Sequence, residues 1–231
     1  LVRDAASVRV AVPLDGGGLI TLRSWGLPQL HAKKPLFSDS GFFIGCILVF
    51  NLQPHSFKKV LSMIANSVSD FVRTLTALSG LLEKGAASAQ ARKIDPLVLT
   101  SARLAPDMFA LARQVQISCD VAKNGFARLG GVDAPKFEDT ETTFAELQAR
   151  IAKTIDFLHN LKAESLAGSE DKVVSFPAGP ERVLKMKGDA YLTQWMLPNL
   201  YFHTVTAYNI LRHNGVDVGK MDYLKGADLL P

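Results

Sequence analysis

Apolar residues recur at steps of three and four from Ile64 onward, a spacing that predicts amphipathic helices. The apolar stripe of the first helix consists of Ile64, Val68, Phe71, Leu75, Leu78 and Leu82. Gly85 follows this stripe and predicts the end of the helix, because glycine is favoured just beyond a helix C-terminus. Asp95 and Pro96 then predict a short helical turn, with the aspartate as its cap.

A second long helix is predicted from about Pro106 to the glycine pair at 130–131. Its apolar stripe consists of Met108, Leu111, Val115, Cys119, Ala122, Phe126 and Leu129. A third helix begins at Thr143, and Glu146 stands at the spacing of a capping box. The stripe of this third helix consists of Phe144, Leu147, Ile151, Ile155 and Leu158.

The pattern changes after the third helix, where two short runs flank a Pro-Ala-Gly-Pro segment. Val173–Phe176 and Arg182–Met186 predict a small hairpin or an extended crossover. The last helix is predicted from Asp189 to about Arg212, and Pro198 inside it predicts a kink or two abutting helices. Its stripe, with His203 at the edge, consists of Leu192, Trp195, Asn199, Phe202, Thr206 and Ile210.

Four helices with apolar stripes predict an all-α fold, an antiparallel four-helix bundle over residues 57–231. Residues 1–56 are different, because glycines and prolines interrupt them and only Val8–Val12 and Leu19–Leu22 have the composition of strands. The apolar run Phe42–Phe50 is too short to cross a bilayer, which needs roughly 20 apolar residues. We therefore expect an irregular or weakly structured N-terminal extension, and no membrane partner.

The basic character of the chain is confined to its first quarter. Residues 1–60 contain seven Lys and Arg against three Asp, and the remaining 19 basic and 19 acidic residues cancel. A neutral bundle without a basic stripe is a poor ligand for a polyanion, so we expect no nucleic-acid partner. Cys46 and Cys119 are far apart and belong to no metal-binding motif, which indicates a reduced, cytoplasmic protein with ordinary buried thiols.

Several sequence blocks resemble those of a domain-of-unknown-function family in the DinB/YfiT-like four-helix-bundle superfamily. These blocks are residues 102–109, 111–116, 139–144, 197–203, 207–208, 211–215 and 222–224. They agree with the family in order and spacing over about residues 61–227. The resemblance implies a bundle with up-down-down-up topology.

The resemblance also implies a place to look for chemistry. In the wider superfamily three histidines often hold a divalent metal at one end of the bundle, and some members use it to activate a thiol cofactor for transfer or isomerisation. The matching pair on the last helix of this chain is Asn199 and His203, and the position on the second helix is Gln114 or Gln116. Carboxamides are weak ligands for such metals, so a divalent metal is disfavoured and His203 is the only retained candidate ligand.

These residues predict a remodelled pocket at the former metal site. Its expected ligand-binding residues are Gln114, Asn199, His203, Asp107, Arg113, Trp195 and Tyr208. The simpler alternative is a satisfied buried polar network that fixes the register of the helices. The sequence contains no nucleophile elbow and no phosphate loop, so it assigns no catalytic residue.

Two functional hypotheses follow from this pattern. The first is a metal-free bundle that binds a small polar ligand or pairs with a second copy as a homodimer. The second is a divergent metal-dependent or thiol-cofactor-dependent transferase or isomerase that uses a remodelled site around His203.

Overall fold

A computed structural model of the chain describes residues 10–13, 19–22, 63–177, 179 and 181–228. The chain divides into two compact units, Leu1–Phe50 and Asn51–Pro231. In the first unit, strands β1 (Val10–Pro13) and β2 (Leu19–Leu22) pair antiparallel. The apolar run Phe42–Phe50 and Cys46 lie outside the described residues, and the boundary after residue 56 stays a prediction.

The second unit is mainly helical, as the apolar periodicity predicts. Its first helices are α1 (Met63–Arg92), α2 (Pro96–Thr100), α3 (Leu111–Gly130), α4 (Phe144–His159) and α5 (Ala163–Leu166). A two-stranded antiparallel sheet follows, formed by β3 (Val173–Pro177) and β4 (Val183–Lys187). The chain then forms α6 (Gly188–Ala190), a π-helix (Tyr191–Met196), α7 (Leu197–His213) and α8 (Lys220–Tyr223).

The four long helices enclose one apolar core. Helices α1 and α3 each pack against both α4 and α7. Phe71 of α1 and Phe126 of α3 meet edge to face in the core, with ring centroids 4.9 Å apart. Cys119 is fully buried in the same core, as its place in the apolar stripe predicts.

Local sequence signals fix several helix ends. Thr143 and Glu146 form the predicted capping box, in which each side chain bonds the backbone N–H of the other. Asp95 accepts a hydrogen bond from the backbone N–H of Leu97 and caps α2 as predicted. The predicted hairpin is also confirmed, since β3 and β4 pair with Phe176 opposite Leu184.

Two predicted helix ends are wrong. Helix α1 does not end at Gly85 but continues to Arg92. The glycine at residue 85 leaves room for the side chains of Phe144 and Leu211, which approach the helix closely there. A Cβ atom at residue 85 would lie 2.9 Å from the Phe144 ring. The second helix begins at Leu111, where Ala110 is extended, and the residues after Pro106 form turns instead of helix.

The last long helix is irregular before its proline. The backbone N–H of Leu197 bonds the carbonyl of Leu192, five residues back, so Tyr191–Met196 is a π-helix. This wider turn adds one residue and rotates the buried face. The predicted stripe is therefore wrong at Phe202, which is 58% exposed, whereas His203 and Ala207 are buried. Among the described residues, no helix combines the length and apolarity needed to cross a membrane.

Candidate functional site

One hydrogen bond connects the two helices that the sequence predicts to share a site. His203 Nδ1 of α7 lies 2.7 Å from Gln114 Oε1 of α3. The amide of Gln114 cannot be reversed, because its Nε2 donates to the backbone carbonyl of Phe109 at 3.0 Å. The carboxamide is thus held at both ends, with its oxygen directed at the imidazole.

This geometry determines the tautomer of His203. Gln114 Oε1 only accepts hydrogen bonds, so His203 Nδ1 must carry the proton. The neutral ring then has its lone pair on Nε2, which bonds no residue that the structure describes. Burial, together with a smaller effect of the charge of Arg113, lowers the pKa of His203 from 6.5 to about 4. His203 is therefore neutral at physiological pH and presents a hydrogen-bond acceptor.

Two exposed phenylalanines contact the Gln114–His203 pair, one through its ring and one through its backbone carbonyl. Phe202 meets the His203 ring edge to face, with centroids 5.2 Å apart and an interplanar angle of 88°. Phe109, whose carbonyl orients Gln114, is as exposed as Phe202, at 58% each. Ligand sites combine apolar and aromatic side chains with a few oriented polar groups, and both kinds of group are present here.

Asn199 is one helical turn before His203 but bonds elsewhere. Its Nδ2 donates to the carbonyl of Trp195 at 2.7 Å. Pro198 has no N–H, and the π-helix leaves carbonyls near this junction without their usual partners. The Asn199 amide therefore satisfies the backbone at the junction.

The remaining predicted site residues are dispersed. Arg113 pairs with Asp139 and donates from Nη1 to Gln116 Oε1 at 3.2 Å. Trp195 packs on the Phe176 ring at 5.0 Å, and Tyr208 is half-buried against the core. Asp107 is exposed and forms no hydrogen bond or ion pair with any residue that the structure describes. Of the two glutamines, Gln114 faces His203, and Gln116 faces the carboxylate of Glu141 at 3.0 Å.

A buried ionic cluster lies beside this site, and the sequence pattern does not predict it. Arg150 of α4 is 2% exposed and binds Asp120 at 2.8 Å, Asp139 at 2.9 Å and Glu141 at 3.0 Å. Its guanidinium also lies over the Phe137 ring, 5.1 Å from the centroid. The available signal is positional, because an arginine at residue 150 stands in register with the apolar stripe of α4.

The ionic cluster ties the loop between α3 and α4 to the helices. Asp139 and Glu141 belong to this loop, whereas Asp120 belongs to α3. Partial burial acts against ionisation of Asp139, but Arg113 and Arg150 hold its pKa below the usual value. Arg113 therefore acts on both the ionic cluster and the His203 site, since it pairs with Asp139 and its charge acts on His203.

The residues around His203 do not fit a divalent metal. Both donor atoms of the Gln114 amide are engaged, and the Asn199 amide bonds the backbone. In the described part of the chain, no group of three His, Cys, Asp or Glu side chains is arranged to hold an ion. One imidazole and two engaged carboxamides are an inadequate donor set.

A spacious cavity lies elsewhere in the helical unit. A groove of about 720 Å³ lies along α1 and is bordered by the end of α4, by α5 and by the segment after α8. None of Gln114, Asn199 and His203 lines it. The oriented histidine and the large apolar groove are thus separate features.

Comparison with known proteins places the chain in a family. Residues 63–224 match a domain of unknown function, DUF1993. A crystal structure of a DinB family member protein from Shewanella denitrificans is 43% identical, with a TM-score of 0.66, and the match covers 71% of this chain and 92% of that chain. No curated protein matches the sequence. The chain therefore belongs to the DUF1993 family, within the DinB-like superfamily.

Proposed function

We propose that this protein binds a small polar molecule that donates a hydrogen bond to His203 Nε2, without a metal. The observation that carries the proposal is the doubly held Gln114 amide, which fixes the Nδ1–H tautomer and leaves Nε2 as an acceptor. The expected ligand carries an O–H or N–H group beside an apolar body, because the exposed Phe202 ring lies against His203 and the exposed Phe109 is joined to Gln114 through its carbonyl. The family likeness supports an up-down-down-up bundle as the scaffold.

Phenol and anisole test this proposal, because they differ mainly in the hydroxyl hydrogen that His203 would accept. The imidazole nitrogens are observed by long-range ¹H–¹⁵N correlation while each compound is added. Phenol is expected to move the Nε2 resonance saturably, and anisole is expected to bind at least about fivefold more weakly. Equal affinity for both compounds would count against the acceptor role.

Variants separate the acceptor from the surrounding surface. His203→Phe keeps an aromatic ring but removes the lone pair, so the preference for phenol over anisole should disappear. Gln114→Leu removes the amide that fixes the tautomer and should reduce that preference. Thr193→Ala, at an exposed residue of the π-helix, is the control and should retain it.

The alternative hypothesis, a metal-dependent or thiol-cofactor-dependent transferase or isomerase, is less well supported by the donor set. Elemental analysis of protein purified without a histidine tag discriminates the two hypotheses. We expect substoichiometric nickel, zinc and iron. Stoichiometric metal that is lost in His203→Ala would instead favour the enzyme.

Self-association is a second candidate because it would use the same surface. Helix α7 exposes Tyr201, Phe202 and Val205 next to His203, so a partner there would cover the proposed ligand site. Sedimentation equilibrium of wild type and Phe202→Ser measures this directly. A dimer that dissociates in Phe202→Ser supports self-association, and a wild-type monomer at all concentrations rejects it.

A further inference from the structure

The groove along α1 has an apolar floor. Val68 and Val72 of α1 face Leu158, Leu161 and Leu166 across it, and Leu158 and Leu166 are each 1% exposed. The α1 residues that line it, from 65 to 76, span about 16 Å at roughly 1.5 Å per residue. This length and the volume of about 720 Å³ suit an elongated apolar chain.

The ionisable groups of the groove are basic. The described lining contains Arg73, His159 and Lys225 and no carboxylate. Arg73 has one acidic neighbour, Asp70 at 3.6 Å, which does not line the groove. Lys225 forms no ion pair with a residue that the structure describes, because the nearby Asp222 binds Lys84 at 2.7 Å. The rim therefore has a cationic group available for an anion.

The wall that carries Lys225 is held against α1 by specific contacts. Lys84 pairs with Asp222 of α8, and its Nζ also donates to the carbonyl of Asp217 at 3.4 Å. Gly226 has a φ of +81° and passes over the side chain of Arg73, so its turn brings Lys225 back to the groove. The cationic rim and the apolar floor are thus parts of one fixed arrangement.

We propose that this groove binds a free amphiphilic anion, a straight apolar chain that ends in a carboxylate. The chain would lie over Val68, Val72 and Leu158, and the carboxylate would meet Lys225 and Arg73 at the rim. The proposal is independent of the site at His203, which does not line the groove. A small polar ligand at His203 and an acyl chain here would occupy different surfaces.

A homologous series tests the apolar floor. Octanoate, decanoate and dodecanoate, each below its micellar concentration, are titrated into the full chain by calorimetry. Each further methylene in the groove should tighten binding about threefold to fourfold, since that is the gain from burying one methylene. Affinity that is independent of chain length, or binding that does not saturate at one equivalent, would overturn the proposal.

Two substitutions localise the binding. Val72→Glu introduces a carboxylate into the floor and should weaken dodecanoate binding more than about tenfold. Val205→Glu makes the same change on an exposed face of α7 and should leave the affinity within about twofold. Thermal unfolding of both variants confirms that they are folded. Equal losses in the two folded variants would contradict binding in the groove.

The carboxylate is tested with an uncharged ligand and a charge-neutral rim. Arg73→Gln combined with Lys225→Gln should weaken dodecanoate about threefold to tenfold and leave dodecanol within about twofold, because exposed ion pairs contribute modestly. Vesicles containing anionic lipid distinguish a membrane surface from a free ligand. Binding to vesicles without binding to monomeric dodecanoate would reject the free amphiphile.

Discussion

Burial governs the chemistry of individual residues in this protein. His203 is 9% exposed and its Nδ1 donates to a carboxamide, so its charged form has lost solvation without gaining an anion. Its pKa is about 4, whereas an unfolded chain has a histidine pKa near 6.5. The unfolded state consequently binds a proton between these values that the folded state does not.

This difference predicts a pH dependence of stability. The contribution of His203 is fully present above pH 6.5 and is lost as the pH falls towards 4, by up to about 3 kcal/mol. The free energy of urea unfolding is measured at pH 7 and pH 4.5 in wild type and His203→Phe. Wild type should lose more stability between the two values than the variant, in which the carboxylates still titrate. Equal losses would show that His203 does not titrate in this window.

Arg150 is the residue on which the ionic cluster depends. Replacing it by methionine leaves the carboxylates of Asp120, Asp139 and Glu141 near one another without their shared cation. We expect Arg150→Met to reduce the free energy of unfolding by about 3–5 kcal/mol. Lys153→Met, on an exposed turn of the same helix, should change it by less than about 0.5 kcal/mol. Similar values for the two variants would contradict this role of the cluster.

The sequence predicts that His203 and a glutamine of α3 share a site, but it does not predict which glutamine, nor the ionic cluster around Arg150. Gln114 and Gln116 are both buried on α3, so helical periodicity cannot separate them. Only the position of the Phe109 carbonyl, in a turn that the sequence predicts as helix, selects Gln114 as the partner of His203. Arg150 is in register with an apolar stripe, but its three acidic partners come from α3 and a loop.

At the scale of elements, the role of a glycine depends on how closely another segment of the chain approaches it. Gly188 begins α6 directly against the backbone carbonyl of Ser169, and a Cβ atom there would overlap that oxygen. Gly80 lies within α1 with no atom within 4 Å of a Cβ position. The two glycines thus have opposite surroundings, because Gly188 permits a close backbone approach and Gly80 has free space beside it.

Alanine substitution distinguishes these two glycines. Gly188→Ala should destabilise the protein by about 2 kcal/mol or more, because the backbone oxygen cannot move aside as a side chain would. Gly80→Ala should stabilise it by about 0.5–1 kcal/mol, since alanine favours the helix. Both are measured by urea unfolding. The opposite order would show that the α6 junction can relax.

The sequence predicts those helix ends that are set by interactions within one turn. The capping box at Thr143 and the cap at Asp95 act within one turn, so the sequence alone reveals them. The continuation of α1 through Gly85 and the rotation of α7 after the π-helix depend on contacts between distant segments. The periodicity read across the π-helix misassigns Phe202, which is exposed, although Thr206 and Ile210 further along the stripe are buried as predicted.

At the scale of the whole molecule, the helical domain is the unit that resembles the family. The match covers residues 63–224, and buried Ile64 lies at its N-terminal edge. We expect a fragment of residues 57–231 to fold with a free energy of unfolding within about 0.5 kcal/mol of the full chain. A fragment of residues 71–231 should lose about 2–5 kcal/mol because it lacks Ile64. Failure of the longer fragment to fold would contradict the proposed boundary.

The reactivity of the buried Cys119 thiol reports how often the helical core opens. Burial raises its pKa to about 12, so almost no reactive thiolate exists while the core is closed. Alkylation at Cys119 therefore requires α3 to separate from its neighbours, and the rate of that reaction counts these openings. A ligand that binds only the closed bundle would slow the alkylation of Cys119, even when the ligand contacts neither Cys119 nor any residue beside it.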